Sequence, residues 1–428
     1  RVPDGSPSQS VMSSAVDVVV IGAGAAGLAA GHALSVGGLT SVVLEADARI
    51  GGRAHTEIMP DGTPFDLGCH WMHSASLNPF VETADALGVH YERREGYGRS
   101  AFFQNDHWLD DAEVAAGTQA MDDRETAVAA AWSQGMDQSV METVDRDGPW
   151  TEVLDYYDTL DSSSDVDQIS IGDVVSYHDT EENWPVVDGY GALVSQWGAT
   201  VPVSLNTAVI SVRWDSSGVT VETNQGQIQA KCAVIAVSTG VLASGDIQFS
   251  PELPIEKQSA IAALPLGNYN RIRLEIDRHE FPDDLAERVV VSRPGYSPIQ
   301  ISLGAYGFNC AIGIVAGRYA DWLERGGTAA SREAVIDALC HVFGNDLRTK
   351  VKSDRQSAWR GNPFVRGAYS TSVPGQFHQR SVLAQPVADR LFFCGEATSA
   401  DHFCTCHGAR MTGERAVREV QMILTDQS

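Results

Sequence analysis

The first long apolar run, Val18-Val19-Val20-Ile21, is four β-formers without alternation, which predicts a parallel strand buried on both faces. It leads straight into Gly22, Gly24 and Gly27 and then into an Ala- and Leu-rich stretch that predicts a helix from about Ala25 to Val36. A second apolar run, Ser41 to Leu44, predicts the neighbouring strand and ends at Glu45. Further on, Thr207 to Trp214, Gly218 to Glu222 and Ile228 to Val237 read as successive strands separated by Ser-Ser-Gly and Asn-Gln-Gly turns. Amphipathic spacing predicts helices over Asp123 to Met141 and Ser331 to Phe343, with strands over Arg271 to Ile276 and Cys310 to Val315. Near the C-terminus a short apolar strand ends in Gly395-Glu396, and a helix follows from about His407 to Leu424. The expected fold class is α/β.

The glycine spacing carries chemistry. Gly22 allows a tight turn, Gly24 lets a pyrophosphate approach the backbone, and Gly27 lets the helix pack close on the strand. The helix then turns its positive end toward the phosphates. Glu45 stands 18 residues beyond Gly27, where a carboxylate can accept the ribose hydroxyls. These features predict a Rossmann-like dinucleotide site. Gly51, Gly52 and Arg53 follow the ribose strand and suit contacts along a longer cofactor, with Arg53 near its phosphates. A nicotinamide enzyme has no obvious need of them, so FAD is expected.

Three further segments occur in order between this fingerprint and the C-terminal Gly395-Glu-Ala-Thr…His407-Gly-Ala. They are Asp66-Leu-Gly68-Cys-His70-Trp-Met-His73, Leu266-Gly-Asn-Tyr-Asn-Arg271, and Trp359 to Tyr369. In these motifs, from about Val16 to Val420, the chain resembles the flavin-containing amine oxidases. That family includes monoamine oxidases, polyamine oxidases and flavin histone demethylases, and the polyamine type is the nearest. The resemblance implies a discontinuous FAD-binding domain at 14–74, 184–262 and 363–428, and an α+β substrate domain at 75–183 and 263–362. It adds Gly68, Val209, Gly395, Glu396 and Thr405 to the cofactor-binding residues. It implies oxidation of an amine C–N bond to an imine that hydrolyses to an aldehyde and an amine, with O2 reduced to H2O2.

The same resemblance assigns roles at the reacting end. Tyr369 matches an aromatic that flanks the substrate before the flavin, and Trp359 matches a tryptophan upstream of it, with ordinary core packing as the other reading. Thr405 occupies a second aromatic position, which argues against a close monoamine oxidase. Ala368 stands where monoamine oxidases carry the flavin-linking cysteine, so non-covalent FAD is expected. Polyamine oxidases have a His-Trp-Ile-His run like His70 to His73. In an extended segment His70 and Met72 face one way and Trp71 and His73 the other. Either histidine takes a proton from the ammonium or is a hydrogen-bonded core group. Arg271 stands where the family usually has a lysine that holds a water near the flavin and assists reaction with O2. Its permanently charged fork either keeps that water or clamps a carboxylate on the substrate. The second case would make the protein an oxidase or dehydrogenase of amino acids. A flavin-binding protein without turnover is a third reading. Histone demethylation is not expected, because 428 residues leave no room for a long helical insertion.

Charge narrows the partners. The formal net charge is −26, and residues 75–183 hold 25 Asp and Glu against five Arg, a net of −20. Such a surface excludes nucleic acid as a direct ligand. It either attracts a small cationic amine or serves only as a solvated face. No apolar run reaches the roughly 18 residues of a membrane helix, so no membrane partner is expected. Seven scattered cysteines fit a reducing, cytoplasmic setting better than a disulfide scaffold. Cys404-Thr-Cys406-His407 has one residue between its cysteines and no second pair at zinc spacing, so no metal is expected and these read as small residues near the flavin. Residues 1–13 read as a flexible polar leader, with Met12 a candidate start and an export signal cleaved before Arg1 the alternative. Nothing in the sequence speaks to oligomeric state.

Overall fold

The computed structural model describes residues 15–94 and 96–426, and the expected leader over 1–13 lies outside the described residues. The strand Ala15–Ile21 pairs in parallel with Ser41–Leu44 on one side and with Gly226–Ile235 on the other. Its apolar run feeds two cores. Val18 and Val20 enter one, and Val19 and Ile21 enter the other. The sheet continues through Val203–Ser204 at one edge and through Gly218–Thr223, Val209–Asp215 and Gln248–Ser250 at the other.

The long strand Gly226–Ile235 forks. Its first half pairs antiparallel with Gly218–Thr223, while Ala233 to Ile235 pair in parallel with Leu391–Phe393. The loops after Ile21, Ile235 and Phe393 therefore leave the same end of the sheet, where α/β proteins place ligands. The helix Ala25–Val36 packs against the C-terminal helix Cys406–Asp426. The approach is close enough that a Cβ on Gly413 would lie 2.1 Å from the Ala26 carbonyl oxygen.

The second sheet has seven strands, in the order Ser353–Gln356, Tyr269–Glu275, Cys310–Ala316, Ile299–Leu303, Arg288–Ser292, Ser100–Gln104 and His107–Trp108. Period-two alternation divides its faces. Ile272, Leu274, Ile301, Ala311 and Val315 pack in a core with the helices Gly317–Arg325 and Thr328–Phe343. The intervening Tyr269, Arg271, Gln300, Ile312 and Ile314 line a large cavity. On that cavity side the helix Thr151–Ser162 is pinned by Tyr156. Its hydroxyl donates to Ile314 O at 2.8 Å and accepts from Gln300 N at 2.7 Å.

One helix differs from the sequence expectation. Instead of Asp123 to Met141, it spans Asp111–Ser133. A capping box sets the start: the Asp110 carboxylate accepts from Ala112 N and Glu113 N, and Glu113 accepts from Asp110 N. Gly117 is kept inside the helix by packing, since a Cβ there would lie 2.4 Å from the Trp150 ring. The helix ends at Ser133, before Gly135 with its φ of +77°.

Candidate active site

A single cavity of about 1010 Å³ runs from Gly22, Gly24 and Glu45 past Arg53, Trp359 and Tyr369 to the second sheet. Its first end fits FAD. Gly22 turns at φ +101°, and a Cβ on Gly27 would lie 1.8 Å from Gly22 O. A Cβ on Gly24 would meet nothing within 4 Å, so the backbone there is bare to the cavity. No side chain caps the N-terminus of Ala25–Val36, and its first N–H groups are left for an anion. Gly51 and Gly52 lie against this turn through a bridge between Gly24 and Gly51. Glu45 faces the cavity while Ala23 N and Asp47 N donate to its two oxygens at 2.7 and 2.9 Å. Burial raises its pKa, and those two backbone bonds work against the rise. Val209 lines the same end.

The middle of the cavity is held by a buried charge network. Glu396 accepts from Arg53 Nη1 at 2.9 Å, Ser370 Oγ at 2.7 Å, Ser370 N at 3.1 Å and Cys404 N at 3.0 Å. Burial alone would raise its pKa, but the Arg53 and Arg380 charges outweigh it and the net shift is downward. Arg380 donates to Ser370 Oγ at 2.8 Å and makes a two-pronged pair with Asp173 at 2.9 and 2.7 Å. Arg53 also donates to Ala368 O. Gly68 is required here, because a Cβ would lie 1.7 Å from Arg53 O. Trp359 fills the wall beside it and donates Nε1–H to Leu67 O at 3.0 Å. Gly395 turns at φ +121° and lines the cavity. Thr405 lines it too, but its hydroxyl donates to His402 O at 2.7 Å and accepts from Gly408 N at 3.0 Å. Cys404 turns at φ +64°, and its thiol donates to Ser370 O at 3.0 Å.

The two histidines differ. The alternation is seen in part: Met72 is fully buried, while Trp71 and His73 line the cavity. His70 departs from it and also faces the cavity, with both ring nitrogens engaged. Nδ1 meets Asp66 at 2.8 Å and Nε2 meets the Tyr306 hydroxyl at 2.7 Å. Burial and the Arg271 charge lower its pKa against the pull of Asp66. His73 engages through Nδ1 alone, with Asn183 Oδ1 at 2.7 Å and the Tyr97 hydroxyl at 3.2 Å. Since Asn183 Oδ1 accepts, Nδ1 carries the proton and Nε2 is left as an acceptor. Burial lowers the pKa of His73 and so favours the neutral ring. Arg271 reaches the cavity, donates to Asp66 O at 2.8 Å and lies over the Phe65 ring at 5.4 Å.

The sequence left several lining residues unassigned. Tyr97, Tyr157, Tyr177 and Tyr269 join Tyr369 around the far chamber, with Asp161 among them. The Tyr369 hydroxyl is fixed by Leu160 O and its ring tilts against Tyr269 at 5.8 Å. Tyr269 was signalled by its place two residues before Arg271, on the same strand face. Tyr97 and Tyr177 come from irregular segments with no periodic signal.

Comparison with known proteins gives two family matches. Residues 152–421 match the model described as flavin containing amine oxidoreductase, and residues 20–86 match an NAD(P)-binding Rossmann-like domain. Polyamine oxidase 4 of Oryza sativa subsp. japonica is 29% identical over 434 residues, covering 94% of this chain and 88% of that protein. Polyamine oxidase 2 of Arabidopsis thaliana is 28% identical over 440 residues, covering 95% and 88%. Wild-type putrescine oxidase bound to putrescine has the same fold, with a TM-score of 0.81 at 18% identity, covering 96% of this chain and all of that one.

Two outcomes follow from this geometry. Acid precipitation of the purified holoprotein should release all the yellow colour to the supernatant, since Ala368 offers no thiol to the flavin; colour in the pellet would contradict it. Arg380→Met should destabilise the fold by about 3–5 kcal/mol, because it leaves Asp173 charged and unpaired in the interior. Urea unfolding followed by tryptophan fluorescence measures the loss, and an unchanged midpoint would show that the network is not holding the fold.

Proposed function

We propose that this chain, which belongs to the flavin containing amine oxidoreductases, oxidises a cationic aliphatic amine of the diamine or polyamine class. Flavin-dependent amine oxidation is the reaction of the chain, with non-covalent FAD as cofactor. When bound, FAD supplies the two-electron acceptor for the C–N bond and, through O2, the route to H2O2. The protein supplies position, dryness and a place for a proton. Tyr369 and Trp359 line the cavity where the dinucleotide end opens toward the chamber, which supports their role as walls. The imine product hydrolyses to an aldehyde and an amine.

The observation that carries the reading is the hydrogen bonding of His73 in the cavity wall. Its Nδ1–H is spent on Asn183, and its Nε2 is free to accept an N–H of the amine. His70 serves a different purpose, tying Asp66 to Tyr306. The lining carboxylates Asp161 and Asp179, which no arginine or lysine among the described residues pairs, favour a cation over an amino-acid substrate. The polyamine oxidases and putrescine oxidase similar to this chain support the same class.

The test is anaerobic mixing with a panel of diamines, monoamines and amino acids while the flavin absorbance is followed. Bleaching by diamines supports the reading, bleaching only by amino acids replaces it, and no bleaching by any compound refutes it. His73→Leu should slow flavin reduction about 10- to 100-fold at pH 7, the range expected for losing a hydrogen bond to a charged group. The loss should shrink as pH rises above the pKa of the amine, because the substrate then arrives neutral. A pH-independent loss would assign His73 a packing role. Arg271→Lys should alter flavin reoxidation by O2 more than flavin reduction, and stopped-flow traces of the two half-reactions separate these. A sharp rise in KM for a carboxylated amine, with reoxidation unchanged, would instead make Arg271 a carboxylate clamp.

A further inference from the structure

The acidic residues of the helix Thr151–Ser162 recur at Asp155, Asp158 and Asp161, a spacing that puts them along one side. Two of the three are neutralised. Asp155 meets Arg124 at 2.8 Å and Arg146 at 3.0 Å, and Asp158 is bonded to Arg124. Asp161 lines the cavity with its side chain open to that space, and it has no hydrogen-bond or ion-pair partner among the described residues. The last turn of the same helix carries no basic residue, and its Leu160 carbonyl is met only by the neutral Tyr369 hydroxyl, so no cation among the described residues balances this negative end. Around it stand Tyr97, Tyr157, Tyr177, Tyr269 and Tyr369, whose ring faces attract cations and repel anions.

The geometry points to Asp161 as the seat of a second ammonium group, which makes the substrate a diamine or longer polyamine held at both ends. This rests on the amine-oxidation reading above. One ammonium gives up its proton near His73, and the other stays charged on Asp161. A monoamine would leave this carboxyl and helix end unmatched.

The electrostatics agree. Burial, with Asp158 and Asp179 as like charges, pushes Asp161 up to about 7. Burial also pushes Asp158 up to about 6 against the pull of Arg124. The other ionisable groups that sense Asp161 are Tyr97, Tyr157, Tyr177, Tyr269 and Tyr369, all with pKa raised mainly by burial. No arginine or lysine is among the charges acting on it. The nearby Arg94 is paired with Glu92 and Glu287, and Arg288 is bonded to Gly98 O and lies over Tyr97. A carboxyl raised in this way is about half ionised at pH 7 in the empty chamber. A bound dication favours its ionised form, so binding should expel a proton below pH 7 and none well above it.

The experiment uses the FAD-loaded protein and two probes. The first is the ratio of kcat/KM for an unbranched diamine to that for the monoamine of equal chain length. Asp161→Asn should lower this ratio about 10- to 100-fold, the range for losing a hydrogen bond between charged groups, and Asp161→Glu should restore part of it. The second is binding of a bis-quaternary ammonium alkane, which cannot be oxidised or titrated, read from the perturbed flavin spectrum. Its affinity should rise about tenfold per pH unit below 7 and level off above 8, and this dependence should vanish in Asp161→Asn. Flavin content checks that each variant is folded and loaded. An unchanged ratio together with an unchanged pH profile overturns the assignment. Failure of every amine to bleach the wild-type flavin would instead refute the amine-oxidation reading beneath it.

Discussion

The fold depends on a set of charges held mostly in the interior, with Arg53 at the cavity wall. Arg53, Glu396, Arg380 and Asp173 are joined through Ser370 into one network with two positive and two negative members. Each charge alone would be costly to bury, and the set is tolerable only because it is neutral and nearly every lone pair has a donor. Its members come from five separate stretches of chain. Arg53 follows the first two strands, Ser370 adjoins Tyr369, Arg380 lies in the helix Gln379–Ala384, Glu396 follows the last strand, and Asp173 lies in the helix Ile171–Ser176. The glycine turns, the wall residue Tyr369 and the chamber residue Tyr177 are thus positioned by one electrostatic closure. Its stabilising effect is conditional, since each member is favourable only while the others are present.

The second sheet converts a simple periodicity into a site. Its strands need one face for the helices behind it, and alternation hands the other face to the cavity. On Tyr269–Glu275 this places Ile272 and Leu274 in the core and Tyr269 and Arg271 toward the ligand. The helix Thr151–Ser162 then covers part of that face, held by the Tyr156 hydroxyl between two strands. The same docking that buries Val153 and Leu154 in a small core delivers the negative end of the helix to the chamber.

What the sequence makes legible follows the strength of local constraint. The dinucleotide end is readable because Gly22 and Gly27 each answer a steric demand that other residues cannot meet, while Gly24 leaves the backbone bare to the cavity. The strands are readable because burial on one or both faces leaves a period. The helix over Asp111–Ser133 is mislocated because it is polar on nearly every side, so its start is written in a capping box rather than in an apolar stripe. The histidine pair shows a different limit. His70 and His73 are chemically identical and three residues apart, and only their partners, Asp66 with Tyr306 against Asn183 with Tyr97, make one a tie and leave the other an acceptor. Those partners lie up to 236 residues away along the chain.

Asp161 was hidden for a related reason. Among the 25 acidic residues of 75–183 it has no distinguishing neighbour in the sequence. A surface carboxylate is stabilised by water and a buried one by a cation, and Asp161 opens on the cavity with no protein cation among the described residues paired to it. In the same cavity Arg271, two residues from Tyr269 on one strand face, is a buried cation whose direct bond is to a carbonyl, with Asp66 and His70 acting only through space. Both signs therefore line this cavity, with Arg271, Arg94 and Arg288 on one hand and the unpartnered Asp161 on the other. On the proposed reading, a ligand that is cationic at one end only is drawn with its charge toward Asp161 and away from Arg271. On the same reading, the amine group nearer Arg271 is the one that becomes neutral, and that is the protonation state in which an amine can be oxidised. On the proposed reading, the field that admits the substrate also favours loss of its proton where the chemistry takes place.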